Sequence, residues 1–123
     1  MAWVGVDDAL YIHAQIVVPS QGVRDPSQLT ASIRSVEQGY WSTLFEMAVA
    51  YAHHVAETQC FVDGNKRTAL AIMQTFLLWN GRKLTGQEPL AEFMMKISAH
   101  EPLANRVADL VSWLGEDEAV DQE

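Results

Sequence analysis

The stretch TQCFVDGNKRTAL, residues 58–70, decides the fold and carries the strongest functional signal in the chain. Gly64 permits a backbone conformation in which successive amide groups turn inward. Asn65, Lys66 and Arg67 follow it and are placed to form a first helical turn, whose N–H groups have no partner within the helix. Lys66 and Arg67 add positive charge. The four residues therefore predict an anion-binding site.

Asp63 stands beside this predicted anion site and offers a hard oxygen ligand. Such a carboxylate suits the Mg²⁺ that accompanies a di- or triphosphate, so the local chemistry favours a nucleotide. A second interpretation fits the same residues: Asp63, Gly64 and Asn65 only start a helix, and Lys66 and Arg67 are solvated. Local composition leaves both interpretations open.

Helical signals continue in both directions from this stretch. Towards the C-terminus, a helix that is apolar around most of its circumference runs from Asn65 to Asn80, where Asn80-Gly81 gives a left-handed stop. We expect it to be the central helix. Towards the N-terminus, Thr43 and Glu46 form a capping-box pattern that starts a largely buried helix leading into the stretch.

Caps, prolines and apolar spacing predict four further helices. They are one capped by Asp7 that ends before Pro19, one from Pro26 to about Glu37, one from Pro89 to about Ser98, and one from Pro102 to Leu114. Strand signals are nearly absent, and only short pieces such as residues 82–85 could pair. The predicted fold class is all-α, a single compact domain of about six helices.

Length and composition indicate one domain. A chain of 123 residues with 49% hydrophobic content fills one core and has no stretch for a second. No apolar run approaches the roughly 20 residues that cross a bilayer, and Asp7 and Asp8 stand where a signal peptide would carry basic residues. Cys60 is the only cysteine, which excludes a disulfide within the chain. We expect a soluble, cytoplasmic protein with no membrane partner.

The formal net charge of -8 argues against nucleic acid as a partner, because phosphate neutralisation needs clustered lysine and arginine. Five of the 16 acidic residues follow Gly115, in the terminal segment EDEAVDQE, which holds no basic residue. The rest of the chain has 11 acidic and 8 basic residues, an ordinary balance. We therefore expect a helical domain over residues 1–115 and a solvated, disordered acidic tail over residues 116–123.

The motif also resembles a known signature. CFVDGNKRTAL, followed by a helix to LLWNG, resembles the Fic/Doc family, whose signature is His, any residue, Phe, any residue, Asp or Glu, Gly or Ala, Asn, Gly or Lys, Arg. The segments GVRDPSQLTASI and YAHHVAETQCF are similar to the parts of Doc-type members that precede the motif. The small size and the acidic end are also similar to Doc, the toxin of a toxin–antitoxin pair.

The resemblance implies a six-helix fold with ATP and Mg²⁺ bound over the motif. Most members transfer the adenylyl group to a hydroxyl side chain of a protein target, whereas Doc-type members transfer the terminal phosphate to elongation factor Tu. Lys66 stands where adenylylating members usually have a second glycine, which favours the Doc branch. The resemblance further implies an antitoxin whose disordered tail folds as a helix in a groove of the toxin.

The signature also implies roles for residues of this chain by position. Phe61 would be a core anchor, Asp63 the metal ligand, Gly64 and Asn65 the anion nest, and Lys66 and Arg67 the phosphate clamps. The segment around Arg24 and Asp25 would correspond to the flap that aligns the target chain.

One position departs from the signature. The family's histidine is the general base that takes the proton from the attacking hydroxyl, and its position holds Gln59. An amide accepts a hydrogen bond but not that proton, and losing a general base typically costs about 10² to 10⁴ in rate. His54 and His53 lie about 140° and 120° away around the helix, so neither shares the face of Gln59. Glu57, two positions before Gln59, is expected to point to solvent.

Gln59 leads to four hypotheses. The chain is a Doc-like phosphoryl or adenylyl transferase with impaired activity, a non-catalytic Fic-fold protein that binds a nucleotide or a partner chain, a toxin in which histidine was changed to glutamine on purpose, or a Fic scaffold recruited to small-molecule, for example biosynthetic, chemistry. We expect the first, because a loose phosphoryl-transfer transition state depends mainly on positioning and electrostatics.

Overall fold

The computed structural model describes residues 1–82, 92–93, 95–97 and 102–119. The chain is all-α, as predicted. Its helices are α1 (Val6–Ile16), α2 (Pro26–Gln38), α3 (Leu44–Thr58), α4 (Asn65–Trp79), α5 (helical residues 92–93 and 95–97) and α6 (Leu103–Leu114). Within these ranges β-structure is limited to two isolated antiparallel bridges, Val23 with Phe61 and Thr43 with Ala119.

The helix starts agree with the capping signals in the sequence. Asp25 caps α2 by accepting the N–H of Gln28 at 3.1 Å, and Thr43 caps α3 by accepting the N–H of Glu46 at 3.2 Å. The start of α1 differs from the prediction, because Gly5 rather than Asp7 is the N-cap. The carboxylate of Asp8 accepts the Gly5 N–H at 2.8 Å, which makes the earlier start favourable.

The predicted helix from Pro89 to Ser98 lies only partly within the described residues, where 92–93 and 95–97 are helical. The predicted extended piece at residues 82–85 lies outside them from residue 83 onward.

The central helix of the fold is α3, not α4 as the sequence indicated. It packs against α2, α4 and α6, while α1 covers α4 and α2. Nine of its side chains are buried, among them Phe45 and Tyr51, which are fully enclosed. By contrast, Leu78 and Trp79 at the end of α4 are exposed, so the apolar circumference of α4 is not fully covered. None of the described helices is both long and apolar enough to cross a membrane.

The N-terminus of α3 is also capped by the acidic C-terminal segment. The main-chain oxygen of Glu118 accepts the N–H of Leu44 at 2.9 Å, and Asp117 Oδ1 accepts the N–H of Phe45 at 3.0 Å. Arg82 holds the same segment by donating to the carbonyl oxygens of Leu114 and Glu116. The first residues of the predicted solvated tail therefore contact the domain. The boundary at residue 115 stays a prediction, and residues 120–123 lie outside the described residues.

Asp117→Ala is expected to lower the free energy of unfolding by about 1 kcal/mol, because the N–H groups at the start of a buried helix lose a charged acceptor. Urea denaturation monitored by circular dichroism measures the change. Asp117→Asn keeps an acceptor oxygen and serves as the control, with a smaller loss. Equal loss in both variants would mean that the charge, not the acceptor, is what α3 requires.

Candidate functional site

The end of α3 places Gln59 in an unusual backbone conformation. Gln59 is the C-cap of α3 and lies in the left-handed region at φ 48° and ψ 48°, the only non-glycine residue with positive φ among those described. Arg24 binds this turn from outside the helix. Its Nε donates to the carbonyl oxygen of Gln59 at 2.8 Å, and its Nη2 donates to the carbonyl oxygens of Thr58, at 3.1 Å, and Gln59. A guanidinium at a helix C-terminus meets carbonyls that lack a helical partner, so the turn is stabilised by charge as well as by hydrogen bonds.

The residues after Gln59 pair with the segment that leads into α2. The N–H groups of Arg24 and Asp25 both donate to the carbonyl oxygen of Cys60, at 2.8 and 3.0 Å, and the N–H of Val62 donates to Gly22 at 3.1 Å. This short antiparallel pairing fixes residues 60–62 against residues 22–25. The segment that resembles the family's flap is therefore joined directly to the motif.

Asn65 closes the motif loop on itself. Its Oδ1 accepts the N–H of Phe61 and its Nδ2 donates to the carbonyl oxygen of Phe61, both at 2.9 Å. Phe61 is 1% exposed and belongs to the hydrophobic core. The side chain of Asn65 thus serves the loop, and the contribution of Asn65 to an anion site would come from its backbone N–H.

Gly64 is required by its conformation and by its neighbour. It lies at φ 70°, and a Cβ at this position would overlap Cγ2 of Val17, the C-cap of α1. The first backbone hydrogen bond of α4 runs from the N–H of Thr68 to Gly64 at 2.9 Å. The N–H groups of Asn65, Lys66 and Arg67 therefore have no acceptor within the helix, and they carry its positive dipole end.

An open cavity of about 550 Å³ lies over this helix start. Its lining brings together most of the site residues predicted from the sequence, which are Gln59, Gly64, Asn65, Lys66 and Arg67, together with Ala56. Lys66 and Arg67 are exposed. The cavity thus combines unpaired backbone N–H groups with two cations and one amide side chain, which is an arrangement suited to phosphate groups.

Asp63, the predicted metal ligand, is adjacent to the cavity but is not one of its lining residues. Its side chain is 37% exposed, whereas its Oδ1 is buried, has no hydrogen-bond partner and lies 3.8 Å from Nε2 of His13. The exposed part of the carboxylate is a hard oxygen ligand, so the side chain fits a hard cation. The described residues contain no cluster of three acidic, histidine or cysteine side chains that could hold a metal alone. Mg²⁺ at Asp63 would therefore take its other ligands from phosphate oxygens and water, as Mg²⁺ commonly does.

His13 is a part of the site that sequence reasoning did not place. It is 3% exposed, its ring stacks on Phe61 with centroids 3.9 Å apart, and its Nε2 lies 2.9 Å from the carbonyl oxygen of Asp63. A carbonyl only accepts, so Nε2 donates to it, and Nδ1 lies 3.2 Å from the hydroxyl of Ser20. His13 and Asp63 are separated by 50 positions, and no local pattern signals the contact.

None of the histidines among the described residues lines the cavity, so none of them is placed to act there as a general base. His54 is half-buried, and desolvation lowers its pKa, which favours the neutral ring. Glu57 is exposed and is also absent from the lining, in agreement with the expectation that it points to solvent.

Gly64→Ala is expected to destabilise the protein by about 2 to 4 kcal/mol, because a left-handed conformation and an overlap with Val17 act together. Gly81→Ala is the matched control, since Gly81 also has positive φ, at 85°, but its Cβ would meet nothing within 4 Å. We expect the free energy of unfolding of the control to fall by only about 1 kcal/mol, the cost of placing a Cβ in the left-handed conformation. Urea denaturation of both variants gives the difference, and adding Val17→Ala to Gly64→Ala should recover part of it.

His13→Phe keeps a ring against Phe61 but leaves the Asp63 carbonyl and the Ser20 hydroxyl without their partner. It is expected to lower the free energy of unfolding by about 1 to 3 kcal/mol. Ser20→Ala removes only the Nδ1 contact and should cost less. Thermal unfolding of the two variants compares them. If the His13→Phe variant is as stable as the starting protein, the stacked ring alone holds the loop.

Comparison with family models gives a match. A family model described as the Fic/DOC family matches residues 3–77, which is more than half of the chain and includes all of the cavity lining. A search of curated proteins finds no match.

Proposed function

The chain belongs to the Fic/DOC family, and on that premise we propose that it binds ATP with Mg²⁺ and transfers a phosphoryl or adenylyl group to a hydroxyl of a protein target. The proposal rests on one observation: the cavity joins Gln59 to the unpaired N–H groups at the start of α4. Gln59 would make the transfer slow, because it replaces the general base.

Binding in this proposal uses the helix start. The N–H groups of Asn65 to Arg67 would donate to phosphate oxygens, and Lys66 and Arg67 would neutralise their charge. Asp63 would hold Mg²⁺ through the exposed part of its carboxylate. The metal, when bound, supplies charge neutralisation between phosphate groups. These contacts would orient ATP, and none of them forms or breaks a covalent bond.

Gln59 has a positioning role in the proposed transfer. Its side-chain oxygen can accept a hydrogen bond from the target hydroxyl and hold its oxygen towards the phosphorus, but it does not take the proton. The proton would leave to water or to a phosphate oxygen as the new P–O bond forms and the bond to the leaving group breaks. The expected rate of transfer is about 10²- to 10⁴-fold lower than that of a site with histidine.

The branch and the partners belong to the same proposal. Lys66 at the position of a second glycine supports the Doc-type direction, with the terminal phosphate transferred and elongation factor Tu as target, and with an antitoxin as a second partner. This support comes from resemblance at one position of the motif. It makes γ-phosphate transfer to elongation factor Tu the first reaction to test.

A second candidate function is nucleotide binding without transfer. It is favoured by the same cavity. The helix start, Lys66 and Arg67, which would bind phosphate, all line the cavity, whereas no described histidine does. The two candidates predict the same affinity for ATP and differ only in turnover. They are separated by whether the chain transfers label and whether Gln59→His raises the rate of that transfer.

The decisive experiment measures ATP and Mg²⁺ binding by calorimetry, together with transfer of label from γ- and α-labelled ATP to elongation factor Tu. Gln59→His is expected to raise the rate of transfer by about 10²- to 10⁴-fold, with little change in the affinity for ATP. Lys66→Ala should weaken ATP binding, whereas Arg34→Ala, on the exposed face of α2, should not.

The results separate the two candidates. Binding by both forms, with transfer that is slow or absent before Gln59→His and faster after it, indicates an impaired transferase. Binding with no transfer in either form supports the binding function. If neither form binds ATP with Mg²⁺, both candidates are wrong.

A further inference from the structure

Hydrogen bonds from the side chain of Arg24 stabilise the left-handed turn at Gln59. Gln59 occupies a conformation that is unfavourable for a residue with a Cβ, and three hydrogen bonds from one side chain, that of Arg24, converge on its peptide and the preceding one. The sequence resemblance suggested a different use for this segment, the alignment of a target chain. In the structure the donors of Arg24 that contact the motif are directed at the main chain of residues 58 and 59.

The chemistry of the contact suits arginine. A planar guanidinium presents several N–H groups in a fixed fork, which can serve two successive carbonyls at once. Lysine offers a compact ammonium without this fork, so it would serve the pair of carbonyls less well. The carbonyls belong to the last turn of α3, where the helix dipole also favours a cation.

The base of the Arg24 side chain is itself fixed. Its own N–H donates to the carbonyl oxygen of Cys60, the residue after Gln59, and the next residue, Asp25, donates to the same oxygen while capping α2. Arg24 thus contacts the chain on both sides of the Gln59 α-carbon. It does not line the cavity, so it acts on the site only through the backbone.

We infer that Arg24 is a positioning residue that holds Gln59 in the left-handed conformation and thereby directs the Gln59 side chain into the cavity. The inference about the backbone stands on the contacts alone. Its consequence for turnover rests on the proposed function. A simple helix-capping role would also use these hydrogen bonds, but it would leave the conformation of Gln59 and the chemistry of the cavity unchanged when Arg24 is replaced.

The backbone part is tested by NMR of the whole protein. The ¹³Cα and ¹³Cβ shifts and the HN–Hα coupling of Gln59 report whether residue 59 is left-handed. Arg24→Met is expected to move them towards values averaged over other conformations, and Arg24→Lys to move them partway. Arg34→Met, which removes an exposed arginine of α2, is the control and should leave them unchanged. Unchanged values for Gln59 in Arg24→Met would overturn the inference.

Arg24→Lys keeps the test decisive if Arg24→Met does not fold, because it retains a cation and one donor group. Values for Gln59 in Arg24→Lys identical to those of the starting protein would then overturn the inference, and a partial shift would support it.

The catalytic part is tested in the Gln59→His background. Arg24→Lys is expected to lower kcat for the transfer by about 10²-fold, as small displacements of a reacting group do, while the KM for ATP stays unchanged because the start of α4 is intact. Equal loss in kcat and in ATP affinity would indicate general damage and count against positioning. If Gln59→His itself shows no transfer, the proposed function fails, while the NMR result still decides whether Arg24 holds Gln59.

Discussion

The site depends on one constraint, the short connection between the packed helices α3 and α4, which consists of the six residues 59–64. Left-handed residues stand at both ends of this connection, Gln59 at φ 48° and Gly64 at φ 70°. The first ends the central helix of the core, and the second begins the helix whose free N–H groups face the cavity. Both helices are anchored by buried side chains, so the loop between them has little conformational freedom. The packing of the core therefore fixes the positions of the residues that line the cavity.

Each supporting element contacts this connection at a different point. His13 of α1 contacts Asp63, and Val17, the C-cap of α1, lies against Gly64. Arg24, in the segment before α2, contacts Gln59. The other end of α3 is held by Asp117 from the C-terminal segment. We therefore expect Asp117 to contribute to stability although it lies at the opposite end of α3 from the cavity.

The features that the sequence predicted are those whose signals are local. Asp25 and Thr43 cap helices within three residues of the groups they bind, and Gly64 is followed directly by its helix, so the starts of α2, α3 and α4 could be predicted. The contacts of His13 with Asp63 and of Asp117 with Phe45 join residues 50 and 72 positions apart, and no periodicity encodes them. The central place of α3 was missed for the same reason, since it follows from which helices pack together.

The left-handed backbone at residue 59 limits which explanations can account for glutamine at this position. Histidine, asparagine and aspartate are enriched in the left-handed region among non-glycine residues, and glutamine has no such local advantage. A histidine at this position, the residue of the family signature, would therefore suit the conformation at least as well as Gln59 does. Backbone strain accordingly gives no reason for glutamine here, and we expect Gln59→His to leave the turn undisturbed. In the proposed transfer the two residues would differ in their capacity to accept a proton, so the consequence of Gln59 would lie in chemistry and not in folding.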